Sequence, residues 1–120
     1  MMAHLLDALS RGEDIGHYGR LVFVMVARHF LSEGELSVLL QRDPDVDEDK
    51  ARALIEQVAS KGYSPPSREK VLEFQQHQQF PICPNPEDPD GCNVYKDLKF
   101  PPSVYESINE YHVEKVEAGS

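Results

Sequence analysis

The chain has 120 residues and a formal net charge of −9 at neutral pH. A domain of that length buries a core without staples, and its longest apolar run, Leu21 to Ala27, is too short to cross a bilayer. The acidic balance weighs against a protein that coats duplex DNA through many phosphate contacts, while leaving room for a local basic pocket, and the presence of only 2 cysteines excludes both a disulfide framework and a four-cysteine metal site.

The opening Met1-Met2-Ala3-His4 lacks the basic-then-apolar form of a signal peptide. The expectation is an intracellular protein, in cytoplasm, nucleoid or nucleus, with no membrane partner. The first predicted helix runs from about Ala3 to Ser10, with Leu5, Leu6 and Leu9 on one face, and Gly12 closes it. The second spans about Gly16 to Leu31; its Val and Phe content allows a strand, but the run through Leu31 exceeds usual strand length and favours helix. Its centre is apolar on every side, which suits the middle of a bundle. Ser32-Glu33-Gly34-Glu35 has the form of a capping box and opens a third helix carrying Leu36, Val38, Leu39 and Leu40. Asp43-Pro44-Asp45 ends it.

The fourth helix has the clearest signals. Asp47 is a good N-cap, acidic residues fill the first turn, and Lys61-Gly62 closes the end. Ala51, Leu54, Ile55 and Val58 form its buried stripe. Tyr63-Ser64-Pro65-Pro66 makes a rigid elbow, and Ser67 caps a fifth helix with Val71, Leu72 and Phe74. The run from Gln75 to Gln79 reads as a solvated, fraying end. From Phe80 to Pro102, where most of the prolines fall, the chain reads as an ordered loop tied down by Ile82, Val94, Tyr95, Leu98 and Phe100. Pro102 and Ser103 start a last short helix with Val104, Ile108 and Tyr111. The fold expectation is all-α: a compact bundle of about five helices over residues 1–112, with a Pro-rich, Cys-containing C-terminal loop region, then a flexible tail over 113–120.

No catalytic set emerges, and Asp45, Asp47 and Asp49 lack the glycine and glutamate spacing of a calcium loop. His17 and Arg20 share a face at a helix start, where free amides and the dipole favour anions, so they are candidates for phosphate or triphosphate. An ordinary surface arginine beside a packed histidine is the plainer reading. Lys50 and Arg52 lie on the fourth helix, where an Arg52–Glu56 pair is the simplest account. Arg68 and Lys70 follow the elbow and add positive charge near the cysteine loop. Lys96 and Lys99, interleaved with aromatics, suit single-stranded nucleic acid, and suit loop packing equally. Cys83 and Cys92, with His77 as the nearest further ligand type, read as two thiols or a local disulfide, with metal binding as the less favoured account.

The order of these pieces is more specific than any one of them. His17-Tyr18-Gly19-Arg20 precedes the apolar helix. Ser32-Glu33-Gly34-Glu35, then Asp45 to Arg52, then Gly62-Tyr63-Ser64-Pro65-Pro66-Ser67, and last the cysteines in a proline-rich loop, follow in turn. From about Leu5 to Tyr105 this resembles the C-terminal iron–sulfur domain of archaeal and eukaryotic DNA primase large subunits, or a similar domain of viral or plasmid replication proteins. The resemblance implies a non-catalytic module that binds template DNA and an initiating nucleotide or primer 5′-triphosphate. Its partner would be a primase catalytic subunit, with single-stranded DNA and a nucleoside triphosphate as ligands. It implies triphosphate contacts for His17 and Arg20, and nucleic-acid contacts for Lys50 and Arg52; Arg68 and Lys96 join the nucleic-acid candidates on their charge and position alone.

The family holds a 4Fe-4S cubane on four cysteines. Here only Cys83 and Cys92 match ligand positions. Met1 and Met2 stand where one cysteine should precede the first helix, and Arg68 stands at another position. An aromatic expected on the fourth helix is Ala53, and a histidine one turn later is Gln57. No cluster or other cofactor is therefore expected, with packing and a Cys83–Cys92 bridge in the cluster's structural place. The alternative function is a structural or protein-interaction module of a replication complex that has lost nucleic-acid binding.

Overall fold

The structure, a computed structural model, describes residues 1–88 and 91–105, without the side chain of Asp97. Its helices are α1 (Met2–Ser10), α2 (Gly16–Ala27), α3 (Glu33–Leu40), α4 (Glu48–Lys61), α5 (Arg68–Gln75) and α6 (Val94–Asp97). No strand occurs among the described residues, so the all-α expectation holds. Residues 102–105 are also helical. The expected positions of Ile108 and Tyr111, and the 113–120 tail, lie outside the described residues.

The capping chemistry read from the sequence is present. Ser32 Oγ accepts from the Glu35 amide at 3.2 Å, Asp47 Oδ1 from Lys50 at 2.8 Å, and Ser67 Oγ from Lys70 at 3.2 Å. Each satisfies an amide that a helix start leaves without a partner. Gly62 closes α4 with φ +62, a left-handed conformation that glycine adopts without a Cβ clash.

α2 packs against α1, α3, α4 and α5, and is the bundle's centre. Val22, Phe23, Val24 and Val26 are fully buried, because a helix apolar on every side needs neighbours on every side. Leu5 and Leu9 of α1, Leu36 and Leu40 of α3, Val58 of α4 and Val71 of α5 complete the core around it. A smaller cluster of Val26, Val94, Phe100 and Val104 fixes the C-terminal segment to the far end of α2.

Four expectations change. α2 ends at Ala27, four residues early. Past it the bonds tighten, His29 N–H to the Val26 carbonyl and Phe30 N–H to the Ala27 carbonyl, as the chain turns toward the extended Ser32 cap. Leu6 is exposed, because it sits about 100° round the helix from Leu5 while Ala8 and Leu9 return to the buried face. Val38 is exposed for the same reason, since α3 turns Leu36 and Leu40 inward. Within the expected loop, Asn93 Oδ1 accepts from the Tyr95 amide at 3.2 Å and starts the short helix α6.

Candidate nucleic-acid interface

The start of α2 is built from four backbone amides and three side chains. The Ile15 amide donates to Asp43 Oδ2 at 3.1 Å and the Gly16 amide to Asp14 Oδ1 at 2.8 Å. The Tyr18 and Gly19 amides donate to Gln78 Oε1 at 2.8 and 3.3 Å. Gln78 Nε2 donates in turn to the carbonyls of Ile15 at 2.9 Å and Phe80 at 3.0 Å. One carboxamide thus caps the helix start and ties α2 to the segment after α5. The fit depends on Gly16, whose φ is +79 and whose Cβ would stand 2.5 Å from Gln78 Oε1.

Arg20 is turned inward along the same surface. Its Nη1 lies 3.1 Å from Asp14 Oδ1 and 3.0 Å from Asp43 Oδ2, with the Asp43 side chain 0% exposed. Asp43 Oδ1 also accepts from the Asp45 amide at 2.9 Å. The Gly16 amide, above all, holds the Asp14 carboxyl below its ordinary 3.8. Desolvation opposes this, and Asp45 and Arg20 add to the lowering. His17 is exposed one turn before Arg20, its ring edge-on to Tyr18 at 5.2 Å. The anion-binding features expected at this helix start are therefore satisfied by the chain's own carboxylates and Gln78, with His17 left facing solvent.

An aromatic strip leads away from this corner. Tyr18 stacks on Phe74 at 5.2 Å, His77 lies 6.0 Å from Tyr18, and Lys70 Nζ stands 5.4 Å above the Phe74 ring. Phe74 and Lys70 also line a groove of about 1160 Å³ between α2, α5, α6 and the 63–67 elbow. Leu21 and Met25 contribute to it from α2, Tyr63, Pro65 and Pro66 from the elbow, and Arg68 from α5, with Tyr95 and Tyr105 closing the other side. Tyr63 and Tyr105 are 37% and 38% exposed.

Two interactions hold the groove's walls. The Tyr95 hydroxyl donates to the Pro65 carbonyl and links α6 to the elbow. Burial, with a smaller effect from Tyr105, pushes the Tyr95 phenol up to about 12. Arg68 donates from Nη2 to the Pro86 carbonyl at 2.7 Å and from Nε to the Asp88 carbonyl at 3.3 Å. It thereby anchors the loop that a Cys83–Cys92 disulfide closes, and the Cys83 amide donates to Gln75 Oε1 at 2.9 Å. The spacing left two thiols or a disulfide open, and the sulfurs are bonded to each other. The sequence supplies two of the four cysteines a cubane takes, and Arg68, at a third ligand position, binds carbonyl oxygen.

The remaining basic candidates divide between two surfaces. Lys96 is exposed on α6, next to the groove-lining Tyr95. Lys50 Nζ donates to the Asp45 carbonyl at 3.2 Å, and Arg52 pairs with Glu48 at 2.8 Å instead of the expected Glu56. Glu48 lies one turn back on the same face, in the orientation i, i+4 pairs favour with glutamate first. Arg52 lines a different groove, between α3 and α4. Ala53 and Gln57 are exposed on α4, and Gln57 reaches the edge of the elbow groove.

Sequence reasoning missed Gln78, Gln75 and Asp43. The glutamine run reads as solvent-facing because nothing local marks one amide among five polar residues. Asp43 reads as a helix stop because its partners Ile15 and Arg20 lie far back in the chain. No protein-family model, curated protein or solved structure matches this chain.

Proposed function

We propose that the chain is a non-catalytic primase module. It binds single-stranded template and an initiating nucleotide or primer 5′-triphosphate, and a separate catalytic subunit forms the phosphodiester bond. The observation that carries the reading is the elbow groove. It sets the exposed rings of Tyr63 and Tyr105 beside Arg68 and Lys70, with Phe74 stacked on Tyr18 under Lys70, and Glu69 is the one carboxylate among its described lining residues. Bases stack on such faces whatever their identity, each worth about 1–3 kcal/mol, while cations follow the backbone. An acidic body suits this arrangement, since a few local phosphate contacts are enough for one short strand. The aromatic strip through Phe74 and Tyr18 leads to exposed His17, where a 5′-triphosphate would lie at the groove's end.

The test is fluorescence anisotropy with a labelled oligothymidine, with and without a 5′-triphosphate, across a salt series. Tyr63→Ala should weaken binding by about 5- to 100-fold. Lys70→Ala should reduce the slope of log affinity against log salt by about 0.7, one phosphate contact on a single strand. His17→Ala should reduce only the preference for the triphosphate end. Absence of binding at low salt overturns the reading. It would favour a protein-interaction module instead, which the inward commitment of Arg20 and the net charge of −9 support.

A further inference from the structure

We propose that the groove between α3 and α4 docks a basic amphipathic helix of a partner protein. The groove has a volume of about 870 Å³ and lies apart from the elbow surface. Its apolar lining is Val38, 59% exposed, with Ile55 and Ala59 of α4 across from it, and its uncharged polar lining is Ser37, Gln41 and Ser60. Val38 is the most exposed large hydrophobic side chain among the described residues. Among the described residues α3 is anchored by Leu36 and Leu40 instead.

Gly34 supplies a second, independent observation. It sits in the first turn of α3, lines the groove, and has no left-handed φ to require glycine. A Cβ built there meets nothing within 4 Å. Helices disfavour glycine relative to alanine, so neither backbone geometry nor packing among the described residues accounts for it. Room for close approach by another backbone does.

The rim decides what the occupant is. Glu33, Glu48 and Glu56 surround the floor, and the one cation among the described lining residues, Arg52, is paired with Glu48. Among the described residues no cation pairs with Glu33 or Glu56. Such a rim repels a phosphate backbone, and it repels the same face of a second copy. An apolar stripe flanked by lysine or arginine complements it, and a channel between two helices accepts a helix that sets anchors at i, i+4 and i+7 along the floor. This surface does not depend on what the elbow groove binds.

The probe is a labelled helical Leu/Lys peptide with leucines at i, i+4 and i+7. Two controls accompany it: the same residues with the leucines spread round the helix, and the same helix with glutamate in place of lysine. The amphipathic Lys peptide should bind about tenfold more tightly than either control, a difference of about 1.4 kcal/mol. Val38→Ser and Gly34→Leu should each abolish that advantage, with unchanged circular dichroism and thermal midpoints confirming the fold. Combined Glu33→Lys and Glu56→Lys should transfer the preference to the glutamate peptide. Equal binding of the redistributed peptide, insensitivity to Val38→Ser, or a retained Lys preference after the double reversal overturns the proposal. Oligothymidine affinity of Val38→Ser, measured in parallel, should match the parent, so the two surfaces can fail separately.

Discussion

Arg20 is where a structural and a ligand-binding role separate most cleanly. Its Nη1 bridges Asp14 and Asp43, and the Asp43 side chain is 0% exposed. Arg20→Ala strands that buried carboxylate. Removing one member of a buried pair costs about 3–5 kcal/mol. Here the arginine keeps 17% exposure and Asp43 keeps its amide donors from Ile15 and Asp45, so the loss should be roughly 2–3 kcal/mol. Asp43→Asn should cost a similar amount, since it removes the charge and turns one acceptor into a donor. The double variant has no stranded carboxylate, so its loss should fall short of the sum by about 1–2 kcal/mol. Urea unfolding followed by far-ultraviolet circular dichroism at neutral pH measures all three. Additive losses, or an Arg20→Ala effect under about 0.5 kcal/mol, would refute the internal pairing and return the guanidinium to a ligand.

Other perturbations test other parts of the structure. Gln78→Ala leaves two amides and two carbonyls without partners in a half-buried site, and should lower unfolding stability by about 2–4 kcal/mol. Gly16→Ala should cost about 1–3 kcal/mol through its positive φ and the collision with Gln78, read by the same denaturation. Replacing Cys83 and Cys92 by serine opens a loop with a sequence separation of 9 and should cost about 2–3 kcal/mol, lowering the thermal midpoint under non-reducing conditions. His29 is held below its ordinary 6.5 by burial first and by Arg28 second, and its Nε2 is buried without a hydrogen-bond partner among the described residues. The unfolded chain therefore takes up this proton before the native one does. The stability from neutral His29 is present above 6.5 and declines as pH falls below it. His29→Gln should flatten that decline in urea midpoints measured from about pH 8 to about pH 5.

Local chemistry in the sequence determined most of the helices. Ser32, Asp47 and Ser67 cap them where their side chains predict, and Gly62 stops α4. These are interactions across three or four residues, so neighbouring letters contain both partners. The apolar run of α2 likewise required a central position, because no other placement buries every face. Tertiary structure alone decided which polar groups meet. Gln78 reaches Tyr18 across a sequence separation of 60, and Asp43 reaches Arg20 across 23. Neither pairing leaves a periodic trace, so a helix start that looked open to anions is filled from elsewhere in the chain. The same limit hid which cations share a surface. Arg68 and Lys70 join the aromatics of the elbow groove, while Arg52 joins the acidic channel beside α3. Helix spacing sets where a side chain leaves its own helix. The packing of one helix against another sets what it faces.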